Sequence, residues 1–190
     1  MLAAIVAFSL FGAPKPLPCP ARALLECADT RALMADPDFR VALQAFLGPA
    51  HQRLLHGDRP LYDQILELMA NPERIAPQVG QDMRLFSGCR KLSCPEKAAV
   101  IVGPQGILAI GLIDYARGVP DLEVIVRRSD GQVFAPERAL RGWAEGVVTH
   151  QAEHDHANTA LGQTRVRALE EEVAEGPKPA RRPLFSLPHL

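Results

Sequence analysis

The sequence predicts an α+β fold: an antiparallel β-meander of four to five strands flanked by helices, with a disulfide-closed hairpin loop. Three observations predict it. Apolar residues recur at helical spacing as far as Met69, and after Gly80 the period shortens to that of strands. The strand-like segments that follow are joined by connections too short for any but antiparallel neighbours. Between two of those segments lies Cys89-Arg90-Lys91-Leu92-Ser93-Cys94, whose cysteines are near enough to close a small loop in an oxidising compartment.

The chain opens on an apolar run, Leu2 to Gly12, too short to cross a bilayer as a helix but of the length found in a secretory signal. Ala21-Arg22-Ala23 supplies a small-residue cleavage pattern, so residues 1–23 are expected to be a signal peptide and Leu24 the start of the exported chain. That cut leaves Cys27 unpaired, whereas a cut before Cys19 would preserve a Cys19–Cys27 bridge; the sequence leaves both open. Neither cysteine has the small-residue context of a lipid anchor.

Residues 24–148 are expected to form the domain. Asp36 before Pro37 reads as a helix cap followed by a proline at the first helical position, with Phe39, Leu43, Phe46 and Leu47 on one face and Gly48 as the stop. Pro49 to His56 offer one or two further turns, and a second helix runs from Pro60 to Met69 with Leu61, Ile65, Leu68 and Met69 buried. Strands are expected at Met83–Ser87, Ala98–Val102, Ile107–Ile113 and Leu122–Arg127, with a turn at Ser129-Asp130-Gly131 before Val133-Phe134. Pro136 then starts a helix that packs Leu140, Trp143, Ala144, Val147 and Val148 on the sheet. Residues 149–175 read as a polar helix or frayed segment, and residues 176–190 as a disordered proline-rich tail.

Composition excludes several function classes. The 190 residues carry 21 Lys+Arg against 22 Asp+Glu, a net charge of −1, so no electrostatic footprint calls for nucleic acid. No stretch beyond the signal is apolar enough to span a membrane. The sequence has no nucleophile elbow, H-E-x-x-H or glycine-rich phosphate loop, so the chain reads as a non-enzyme without a cofactor. His150 and His154 are weak metal candidates, one helical turn apart; with no apolar shell to orient them, a solvated polar face is the preferred reading.

The stretch Phe86-Ser87-Gly88-Cys89-Arg90-Lys91-Leu92-Ser93-Cys94-Pro95-Glu96-Lys97-Ala98-Ala99-Val100, with Ile110-Gly111-Leu112-Ile113-Asp114, resembles the inhibitor of vertebrate lysozyme family, Ivy, over about Asp38 to Val148. The resemblance implies a periplasmic protein, an antiparallel sheet flanked by helices, and a disulfide-closed loop that enters the active-site cleft of lysozyme. Several members are dimers, so a homodimer is one implied assembly. The family's loop reads Cys-Lys-Pro-His-Asp-Cys and its histidine bonds the catalytic carboxylates; Leu92 stands at that place here, Lys91 replaces the proline and Ser93 the aspartate. Arg90, Lys91, Leu92 and Ser93 are therefore the expected inhibitory loop, with Arg90 or Lys91 presenting a cation to the carboxylates or Leu92 filling an apolar subsite. The alternative is a periplasmic interaction or scaffold protein in which the loop is only a structural clip.

Overall fold

A computed structural model of the chain describes residues 19, 23–49, 59–115, 118–127, 134–155 and 160–169. A single turn of 3-10 helix, Leu24–Glu26, leads into two short helices, α1 (Thr30–Ala35) and α2 (Pro37–Leu47). Each is capped by an aspartate: Asp29 accepts the Ala32 amide at 2.8 Å, and Asp36 accepts those of Asp38 and Phe39 at 2.8 and 3.4 Å. Gly48, at φ +59°, ends α2 in a conformation that a side chain would strain. Phe39, Leu43, Phe46 and Leu47 are buried along one face of α2, as the spacing anticipates. The helix expected at 60–69 is α3 (Leu61–Leu68), which buries Leu61, Ile65 and Leu68. The turns expected over Pro49 to His56 fall almost wholly outside the described residues.

Among the described residues, seven strands form one sheet: β1 (Asn71–Pro72), β2 (Gln78–Gly80), β3 (Met83–Arg90), β4 (Ser93–Gly103), β5 (Gly106–Asp114), β6 (Asp121–Arg127) and β7 (Thr164–Leu169). β3 to β6 are the antiparallel meander; β1 and β2 pair with the outer edge of β3. Strand alternation divides the sheet's side chains between two cores. Phe86, Val100, Val102, Ile110, Leu112 and Ile125 pack under α1 to α3. Leu85, Ile101, Ile113, Val124 and Val126 pack on the other face against Leu140 and Ala144 of α4 (Phe134–Asp155). Gly111 lets α4 approach closely, since a Cβ there would lie 2.8 Å from Leu140 Cδ2. The sheet is thus covered by helices on both faces.

Two expectations are corrected at the C-terminal side. Phe134 belongs to α4 rather than to a strand. The segment 149–175, expected as a polar helix or frayed stretch, contains the last turns of α4 and then β7, which lies parallel to β6. Charge pairs accompany the backbone ladder that joins β7 to β6. Asp114 and Asp121 stand directly opposite each other on β5 and β6, an unfavourable pairing of like charges. Arg165 of β7 sits 3.4 Å from Asp114 and 3.9 Å from Asp121, and Arg167 sits 3.3 Å from Glu123. Asp121, fully buried, also accepts the Gln163 amide at 2.8 Å. Alternate arginines on β7 thus pair with carboxylates of β5 and β6. The segments 1–18 and 176–190 lie outside the described residues.

Candidate functional site

The hairpin joining β3 to β4 turns on two residues, Lys91 and Leu92, between the paired Arg90 and Ser93. Below the turn the ladder slips: Cys89 pairs with Lys97, so Cys94, Pro95 and Glu96 bulge out of β4. Pro95 has no amide to give to a ladder, which accounts for an irregularity at that place. The Cys89–Cys94 disulfide closes the bulge, its Cα atoms 4.8 Å apart. Cys89 is buried, and Asn71 donates from Nδ2 to its sulfur at 3.2 Å. Gly88 makes the close seat for this base, since a Cβ there would come within 3.0 Å of the Met69 backbone.

The four expected loop residues take different roles. Arg90 is held from two sides, with Nε 3.0 Å from Glu67 of α3 and Nη1 2.8 Å from Glu96 of the bulge. The Glu96 and Glu67 carboxylates together raise its pKa above the ordinary arginine value. Glu67 is also paired with Arg59 at 2.6 Å. Arg90 therefore braces the hairpin against α3 instead of standing free at the tip. Lys91 is exposed and has no partner among the described residues. Leu92 is 101% exposed and has φ +69°, a left-handed conformation that costs a non-glycine residue roughly 1–2 kcal/mol. Ser93 is half-buried and begins β4. The tip thus presents one cation and one apolar side chain on a closed base.

A second polar group lies at the base of the hairpin on the α4 side. Lys97 Nζ donates to Glu73 at 2.7 Å and Ser87 Oγ to the other carboxylate oxygen at 2.5 Å. Burial raises the Glu73 carboxyl, but the hydrogen bonds from Lys97 and Ser87 and the Lys97 charge outweigh it and hold the pKa below the ordinary glutamate value. Glu73 and Lys97 line a cleft of about 300 Å³ with Trp143, Gly146, Val147, His150 and Gln151. The helical spacing of Trp143 predicts a core anchor and the polar flank of His150 a solvated residue; neither expectation points to this cleft. No sequence signal joins Glu73, which follows β1, to Lys97 of β4; the two meet only because β1 and β4 both pair with β3.

His150 and His154 both lie on α4, and His150 faces that cleft. Among the described residues no group of three or more His, Cys, Asp or Glu side chains is placed to hold a metal ion. Among them, too, no helix is long and apolar enough to cross a membrane. No protein-family model, curated protein or solved structure matches the chain.

Proposed function

We propose that the chain is an exported, non-enzymatic, Ivy-like inhibitor that occludes the cleft of a lysozyme or related muramidase with the Cys89–Cys94 hairpin. The observation that carries this reading is Leu92: a large apolar side chain, fully exposed and in a strained conformation, at the tip of a closed and braced hairpin. Lys91 supplies the cation that a carboxylate-lined cleft attracts, and Leu92 fills an apolar subsite. Because the disulfide and the Arg90 pairs already order the hairpin, little conformational freedom is lost on docking. Two disulfides favour an oxidising compartment such as the periplasm.

Titration against lysozymes of several structural types, reading both lysis and direct binding, tests the proposal. Binding and inhibition by the whole chain, both lost in Lys91→Ala with Leu92→Ala, are the expected outcome. No binding at micromolar concentration to any of them would remove it. The engagement of Arg90 within the protein favours the competing reading, in which the loop is only a clip and another segment recruits a partner. A deletion that separates the two must follow Leu169, because a cut after Thr149 would sever α4 and remove β7.

A further inference from the structure

We propose that export processing cuts the chain on the N-terminal side of Cys19, after the apolar run that ends at Gly12, and that Cys19 remains in the mature protein as half of a core disulfide. This rests on the export reading above and replaces the Ala23–Leu24 cut that the small-residue pattern suggests. Cys19 is bonded to Cys27, and both belong to the core beneath α1 to α3, with exposures of 8% and 0%. The stretch that follows is stitched into the domain. The Glu26 amide donates to the Ala23 carbonyl at 2.9 Å, and Leu24 and Leu25 pack against the same core. Arg84 donates to the carbonyls of Leu25, Cys27 and Ala28 at 3.2, 2.6 and 3.3 Å, while its Nε and Nη2 bind the Ala76 carbonyl at 3.1 and 2.9 Å.

A cut between Ala23 and Leu24 would leave this assembly without the sulfur that meets Cys27. The orphaned thiol would sit fully buried in an exported protein, where thiols are driven towards disulfides. A cut upstream preserves every contact. Its chemistry is hydrolysis of one peptide bond: water adds across it, leaving a carboxylate on the leader and an amino terminus on the mature chain. Cys19 and Cys27 then lose two protons and two electrons to a disulfide-bearing oxidant of the cell envelope by thiol–disulfide exchange. A bonded Cys19 sulfur is also unavailable for a thioether-linked lipid.

The full chain is expressed in a Gram-negative host and recovered from the envelope, then examined by N-terminal sequencing and by intact mass after thiol alkylation in denaturant, with and without reduction. The expected product begins between Ala13 and Cys19 and takes up alkylating reagent only after reduction. A product beginning at Leu24, with Cys27 alkylated without reduction, overturns the proposal, and so does a lipid mass on Cys19. A chain that keeps Met1 to Gly12 and stays in the cytoplasm overturns the export reading and this one with it. In the full-length chain, Cys19→Ala should expose one alkylatable thiol and lower Tm by roughly 5–10 °C; an unchanged Tm would show that the bridge is not part of the core.

Discussion

Cys19–Cys27 joins two side chains sunk in the core beneath the helices, whereas Cys89–Cys94 joins a buried cysteine to an exposed one at the neck of a projecting hairpin. Their sequence separations, 8 and 5, are similar. Loop-closure entropy therefore assigns them nearly the same stabilisation, about 2–3 kcal/mol each. Surroundings make the difference. The first bridge fills volume that helices and sheet share, and its loss would open a cavity. The second holds a bulge in which the ladder has slipped, and its loss would free the shape of a surface. A disulfide of the first kind serves the fold, and one of the second kind serves whatever the hairpin meets.

The sharpest break between the two regions is at the tip. Lys91→Ala with Leu92→Ala should weaken muramidase binding by about 2–5 kcal/mol, the range for truncating a charge that pairs in a desolvated site, with Tm nearly unchanged. Calorimetric titration beside a thermal melt measures both. A Tm that falls with the affinity would place these residues in the fold, contrary to the comparison. Removing each disulfide in turn should then separate stability from binding. Cys19→Ala with Cys27→Ala is expected to cost roughly 3–5 kcal/mol of stability, the closure entropy plus a cavity, while binding measured well below Tm survives. Cys89→Ser with Cys94→Ser should cost about 2 kcal/mol, without the cavity, and should weaken binding, because the free hairpin must be ordered on docking. Equal losses of binding in both pairs would erase the distinction.

How much of this was legible depends on how local each cause is. The caps at Asp36 and Gly48, the buried face of α2 and the meander from β3 to β6 follow from neighbouring residues, and they stand where the pattern placed them. β7 does not, because what secures Arg165 and Arg167 is a row of carboxylates from two strands more than 40 residues earlier. The alternation in Thr164-Arg165-Val166-Arg167-Ala168-Leu169 was a strand signal that the polar character of the flanking sequence obscured. In the loop, the sequence identified the cations but not their division of labour. Arg90 is turned towards α3 by strand parity and meets Glu67, 23 residues away, a pairing fixed only once helix and sheet are docked.

A finer test separates strain from recognition at one residue. Leu92→Gly removes a left-handed side chain worth roughly 1–2 kcal/mol of strain, against about 0.5–1 kcal/mol of added freedom in the unfolded chain, so stability should rise slightly. Binding should fall, since the apolar contact is gone. A variant more stable to denaturant yet weaker on a muramidase would show that the strain at the tip is kept for its partner. If both quantities fall, Leu92 is packing against something in its own chain.

The smallest expected effect lies at the base of the hairpin, where Lys97, the ladder partner of Cys89, is bonded to Glu73. The folded state holds the Glu73 pKa below its ordinary value of 4.5, so the unfolded chain takes up the proton first as pH falls. The stabilisation is therefore complete above the unfolded value and is lost progressively as pH drops through it towards the folded one. Thermal melts of the protein and of Glu73→Gln should differ most near neutral pH and converge in acid. The carboxylate is partly open to solvent, which screens the pair and keeps the difference small. Amide exchange places the effect: acid should lower the protection factors, taken against the intrinsic rate at each pH, at Lys97 and its β-ladder neighbours, while amides around Cys27 stay protected. If the Cys27 region loosened as readily, the base of the hairpin and the core disulfide would be one cooperative unit, and the division between a bridge for the fold and a bridge for the surface would not hold.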